Sequence, residues 1–166
     1  MTGKSHLVCG IFGGLTYGVI SGDFSSSVLM PTIITSAIGG LTPDIDSPNS
    51  KIGRKIKPIS WLANRLCGHR GLIHTPFFVA IVSCLILTLM FISNNINNYY
   101  LLISFVIGYT GHLLLDTFTV EGIMWLYPFN KKKIHFTNIK TGSIFEYLIS
   151  IICIPIVCLL VISFLA

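Results

Sequence analysis

The feature that most constrains this chain is the separation of its apolar runs from its ionisable residues. Apolar segments at roughly 5–22, 28–43, 72–93, 99–118 and 144–166 each approach the length a helix needs to cross hydrocarbon. Nearly all the lysines and arginines lie instead in the connections 44–71 and 119–143. With 52% hydrophobic residues, 10% charged residues and a mean hydropathy of +0.80, too little polar surface remains to coat a soluble domain. The expected class is therefore all-α: one polytopic membrane helical bundle of about five transmembrane helices, occupying residues 1–166 as a single domain with no internal repeat. The segment 28–43 is the shortest and carries Pro31, which leaves a full span or a re-entrant helix open.

The net charge of +5 does not point to nucleic acid, because the basic residues sit in short connections where they act as orientation markers. If all five segments cross, the positive-inside rule puts the N-terminus and both basic connections in the cytoplasm and the C-terminus outside. No cleavage site follows the first apolar stretch, so that segment is expected to remain. Cys9, Cys67, Cys84, Cys153 and Cys158 form no closely spaced pair, and no disulfide is expected. In the first basic connection, Pro58 can open a short helix with Ile59, Leu62 and Leu66 on one face, Trp61 beside them, and Lys57 and Arg65 towards water, the pattern of a helix lying on the membrane surface. Trp125 and Tyr127 suggest a second interfacial stretch.

The remaining polar residues converge. Gly10, Gly14, Gly18 and Gly22 recur every fourth residue, a small-residue stripe for close helix packing, and His6 continues it by one turn. The stripe serves either packing within one bundle or dimerisation. Asp44 and Asp46 sit between Pro43 and Pro48 in what reads as a constrained extended turn; turn formation alone would also explain them. His69, Arg70 and His74 stand where the third span begins, and the two histidines reach one site only if Gly68 and Gly71 break the helix between them. Gly108, His112 and Asp116 lie four apart on one face of an apolar span, where the pair can ligate an ion together or the aspartate can orient the imidazole. Glu146 opens the last span and reads as a ligand or base; Glu121 lies near without a role, and His135, among lysines, reads as solvated loop.

Under the five-span topology these groups meet at the cytoplasmic helix ends. The candidate metal ligands are His6, Asp44, Asp46, His69, His74, His112 and Asp116, a nitrogen and oxygen donor set without thiolate that favours zinc, with manganese or iron as alternatives, as one or two ions.

Pro43-Asp44-Ile45-Asp46, His69-Arg70 with His74-Thr75, and His112 through Asp116 with Thr117 and Gly122 resemble the YdjM-like bacterial inner-membrane metal-dependent hydrolases over nearly the whole chain. The resemblance implies a bacterial cytoplasmic-membrane location and metal-dependent hydrolysis. The chain is also, more distantly, similar to the helical zinc-dependent phospholipase C and single-strand nuclease group. It departs from those secreted enzymes in being membrane-embedded and in lacking their N-terminal metal-binding residue.

The expected chemistry is hydrolysis by a metal-activated water, with Glu146 or Asp46 accepting its proton and Arg70 stabilising charge on the attacked oxygen. Arg70 points to a phosphoester or other anionic substrate, and the headgroup-level position to membrane lipid or a lipid-linked phosphate. Two other classes compete. A metal or proton transporter would need polar groups along the whole path, whereas the third and fifth spans are apolar beyond one end. A non-catalytic lipid-binding protein would need its lysines and tolerate loss of His112 and Asp116. Oligomeric state is left open.

Overall fold

The computed structural model describes residues 1–50, 52–68 and 70–148. Its helices are α1 (Gly3–Ser21), α2 (Ser26–Leu41), α3 (Lys57–Cys67), α4 (Pro76–Ile92) and α5 (Tyr99–Thr117), with short 3-10 turns at Pro43–Asp46, Leu72–His74 and Ile96–Asn98. Residues 144–148 begin a further helical segment. The rest of the expected fifth span, with Cys153 and Cys158, lies outside the described residues, as does His69. The all-α expectation holds; the only β pairing among the described residues is two isolated bridges in the loop after α5.

Two helical stretches, Ser26–Asp46 and Ile96–Thr117, are long and apolar enough to cross a membrane, and Pro76–Ile92 is a shorter apolar helix. The segment whose span was left open is thus one of the two. Pro31 falls near the start of α2, where a missing N–H interrupts little of the ladder, and the Pro43–Asp46 turn extends the helix at its other end.

Polarity is distributed as in a protein solvated by lipid. Met30, Ile34 and Ile38 on α2 and Ile81, Leu85, Leu89 and Ile92 on α4 are exposed, while His6, Thr32, Ser36, Ser104, His112 and Asp116 are buried. Burial between helices keeps these polar groups out of hydrocarbon, where they would find no partners at all.

α2 packs between α1 and α5, and α4 packs on α5. Glycine determines how closely α2 is held. A β-carbon at Gly14 would stand 2.4 Å from the Ile33 Cα, one at Gly39 2.2 Å from the Phe105 carbonyl oxygen, and one at Gly108 1.9 Å from the Ser36 carbonyl oxygen. The glycine stripe of the first span therefore packs against α2 within one bundle, and Gly22 ends α1 in the left-handed conformation at φ 69°. On the other side of α5, Val79, Tyr109, Leu113 and Ile123 form a small apolar core, with Trp125 packed against it. The Trp125 indole donates to Thr117 Oγ1 at 2.9 Å and is partly buried, so it anchors the loop after α5 to the bundle.

α3 is helical with Ile59, Trp61, Leu62 and Leu66 exposed and Ser60 buried, which agrees with the expected amphipathic surface helix. It rests on the Pro43–Asp46 turn, where the Asn64 amide donates to the Asp46 carbonyl at 2.8 Å. α3 ends at Cys67, Gly68 and Arg70 take positive φ values of 72° and 52°, and α4 starts only at Pro76. This is the helix break that the glycines between His69 and His74 call for.

Candidate metal centre

Three elements deliver the histidines. His6 lies on the first turns of α1, His74 in the 3-10 turn before α4, and His112 near the end of α5. The close approach of α1 and α2 brings Gly40 within reach of both helical histidines. A β-carbon at Gly40 would lie 2.8 Å from the His6 carbonyl oxygen, and the Gly40 carbonyl lies 2.7 Å from His112 Nδ1. The His6 and His112 rings consequently stack, with centroids 3.5 Å apart and planes at 14°.

The hydrogen bonds assign the tautomers. A carbonyl oxygen only accepts, so His112 Nδ1 carries the proton it donates to Gly40. His74 Nδ1 lies 3.0 Å from Asp46 Oδ2 and donates to that carboxylate. With both rings neutral each Nε2 carries a lone pair, and the two atoms face each other across 3.2 Å. Asp116 Oδ2 lies 3.6 Å from His112 Nε2 and 3.8 Å from His74 Nε2. The two Nε2 atoms and Asp116 Oδ2 thus converge in a buried place.

A divalent cation would fit this arrangement. Ligands held about 2.0–2.1 Å from a tetrahedral zinc are separated by roughly 3.4 Å, and the three observed separations bracket that value. The orientation of each imidazole by a carbonyl or carboxylate behind it is the usual support of a ligating histidine. His74, His112 and Asp116 thus form one potential ligand group, and His6, Asp44 and His112 form a second. His6 is fully buried, and neither of its ring nitrogens finds a hydrogen-bond partner among the described residues. Its Nε2 stands 3.4 Å from Asp116 Oδ1. The donor set therefore fits a borderline divalent ion.

The remaining sequence candidates divide between this centre and its surroundings. Asp44 and Asp46 sit in a 3-10 turn, not the extended turn expected, because Pro43 at its first position presets a helical φ. At three residues per turn, positions two apart point in different directions. Asp44 faces His6 and His112, whereas Asp46 accepts from His74 and from the Arg70 backbone N–H at 3.1 Å. Among the described residues Asp46 belongs to neither ligand group. Glu146 accepts from the Thr2 backbone N–H, from the Ser5 hydroxyl at 2.5 Å and from the Gly142 N–H at 2.7 Å, so it covers the N-terminus of α1 where backbone donors lack helical partners. It too is in neither group.

Arg70 is buried beside Asp116. Its guanidinium donates to Asp116 Oδ1 at 3.1 Å and to Thr119 at 2.7 Å, and its Nε lies 3.5 Å from Glu121. The Met1 amine also pairs with Asp116 Oδ1. Gly40, Thr119, Glu121 and the Met1 amine were not assigned from the sequence. Only Gly40, next to Gly39 and just before the aspartates, carried a usable signal, that of a close backbone approach. His135 is exposed, as expected of a solvated loop residue.

The family model described as YdjM inner membrane protein matches residues 1–166. The chain belongs to this family. It is 34% identical over 149 residues to YvsG of Bacillus subtilis (strain 168), covering 90% of this chain and 87% of that one. It is 30% identical over 139 residues to inner membrane protein YdjM of Escherichia coli (strain K12), covering 77% of this chain and 66% of that protein, and matches YdjM of Shigella flexneri to the same extent. No solved structure matches. Membership of the YdjM family makes this an inner-membrane type of protein, consistent with its lipid-like surface, and the buried histidines and aspartates described above belong to a chain matched by the family from end to end.

Proposed function

We propose that this protein is a multi-pass, membrane-bound metal-dependent hydrolase, acting on a phosphoester or lipid-linked substrate at the cytoplasmic face, with its N-terminus and both basic connections on that side. The observation that carries the reading is the pair of Nε2 atoms of His74 and His112, facing each other at 3.2 Å beside Asp116. With both rings neutral and no cation, that arrangement would leave buried acceptors opposed at a cost of roughly 1–3 kcal/mol each. Because His112 commits Nδ1 to Gly40, it offers a single nitrogen, and the described residues support one well-formed site. A second ion would draw on His6 and Asp44 with a further ligand.

A bound zinc, manganese or iron ion would supply Lewis acidity and lower the pKa of water. The remaining work falls to this chain. Asp46 fixes His74 and, through the Arg70 backbone, the loop that carries the guanidinium. Arg70 is the cation placed to stabilise charge on an attacked phosphoryl oxygen. Glu121, half-exposed beside Arg70, is better placed than Asp46 or Glu146 to take a proton from attacking water, since the latter two are engaged in positioning His74 and α1. Hydrolysis then joins the water oxygen to phosphorus, breaks the phosphorus–oxygen ester bond and returns a proton to the departing alcohol.

The test is metal content of detergent-purified protein by elemental mass spectrometry, comparing wild type with the double variant His112→Ala, Asp116→Ala, followed by phosphoester hydrolysis assays. About one or two ions per chain, lost in the variant together with hydrolysis, is expected. Wild type that holds no metal after supplementation refutes the reading.

A further inference from the structure

Next to the histidine cluster the same end of the bundle contains an open cavity of about 450 Å³, lined by Asp44, Ser47, Ser50, Arg54, Arg70 and Glu121 among others. That volume lies in the range of small-molecule sites. Its charges are not equivalent. Asp44 belongs to a potential metal-ligand group, and Glu121 lies against Arg70, whose guanidinium also donates to Asp116 and Thr119. Arg54 differs: it is exposed and forms no ion pair with a carboxylate among the described residues. One cationic head at the rim of this cavity is therefore left without a protein counter-charge.

Its position is built rather than incidental. The Ser50 hydroxyl donates to the Asp44 carbonyl at 2.8 Å and accepts from the Gly53 N–H at 2.8 Å, while the Arg54 N–H donates to the Ser50 carbonyl at 3.0 Å. A β-carbon at Gly53 would lie 1.9 Å from the Ser47 carbonyl oxygen, so only glycine lets this turn fold back so tightly. The turn ties Arg54 to the residue that faces the metal centre. Three residues later α3 begins, with Ile59, Leu62 and Leu66 exposed along one face. Asp44 of the candidate metal group, Arg54 and the exposed apolar residues of α3 thus follow one another along the chain, with α3 packed on the turn that carries Asp44.

We propose that this cavity receives the phosphate of an amphiphilic substrate, with Arg54 as the residue that recognises the phosphate and the α3 face as the support for its apolar part. This rests on the hydrolase reading for its substrate class, but not for its test. Arginine matches phosphate with planar paired donors, which lysine cannot reproduce.

Binding of two probes, inorganic phosphate and dihexanoyl phosphatidate, would be measured by titration calorimetry on metal-supplemented protein in detergent, for wild type, Arg54→Gln and Arg54→Lys. The phosphatidate is expected to bind more tightly than phosphate. Both should weaken about tenfold or more in Arg54→Gln, with Arg54→Lys in between and metal content unchanged. Equal binding by wild type and Arg54→Gln, or no binding of either probe to wild type, overturns the proposal. Arg54-dependent binding without preference for the phosphatidate overturns its amphiphilic part and identifies a soluble phosphate ester instead. Absence of metal with Arg54-dependent phosphate binding intact defeats the hydrolase reading and leaves the anion site standing.

Discussion

Gly108→Ala tests the link between helix packing and the metal centre. The added β-carbon would lie 1.9 Å from the Ser36 carbonyl oxygen and 2.7 Å from its carbonyl carbon, both backbone atoms that cannot rotate away. Restoring ordinary contact at about 3.4 Å requires α2 and α5 to separate locally by roughly 1.5 Å. His112 stands one turn further along the same face of α5, and its 2.7 Å bond reaches back to Gly40 on α2. A separation of that size takes this bond past hydrogen-bonding range and frees the imidazole to rotate. Overpacking of this kind costs about 1–3 kcal/mol of stability, and loss of an orienting bond behind a metal ligand costs roughly 10–100-fold in affinity. Gly111→Ala is the control on the same helix, because its β-carbon would meet only the Cys9 sulfur, at 2.9 Å, the end of a side chain that can turn aside. The assay is thermal unfolding in detergent together with metal affinity by chelator competition. A Gly108→Ala protein with the melting temperature and metal affinity of Gly111→Ala would refute the claim that the glycines set the histidine geometry.

Asp46→Asn preserves size but removes the charge behind His74; metal affinity should fall about 10–100-fold, measured by chelator competition, and an unchanged affinity would show that Asp46 does not orient that ring. Metal retention should decline as pH falls, because protons compete for the Nε2 atoms of His74 and His112; retention that is flat from mildly alkaline to mildly acidic buffer speaks against imidazole ligation. With Trp125→Phe leaving Trp61 as the sole indole, brominated lipid in nanodiscs should quench its fluorescence, and the lack of quenching would remove α3 from the membrane surface.

What was legible in the sequence was what periodicity carries. Gly108, His112 and Asp116 share a face because four residues is close to one helical turn, and the glycine stripe of the first span announced a close neighbour. The break between Gly68 and Gly71 was legible because both histidines could not serve one site through a continuous helix. What periodicity does not carry is the partner on another element. Asp46 and His74 are 28 positions apart, and nothing local distinguishes a carboxylate that binds metal from one that accepts the far nitrogen of a ligand. Glu146 and Ser5, separated by 141 positions, are the same case: the glutamate faces inward as expected, but what it meets there is the start of α1.

This division has a consequence for the chemistry. The sequence presents a surplus of donors at one end of the bundle, and a surplus alone suggests two ions. The hydrogen bonds remove part of that surplus by assigning it to support: Asp46 to His74, Glu146 to α1, and His112 Nδ1 to Gly40. What faces inward is the Nε2 pair of His74 and His112 beside Asp116 Oδ2, and His6, whose ring nitrogens make no hydrogen bond among the described residues. A buried set of histidines and carboxylates whose outward atoms are bonded and whose inward atoms converge could hold a cation, and that is the arrangement the proposed function builds on.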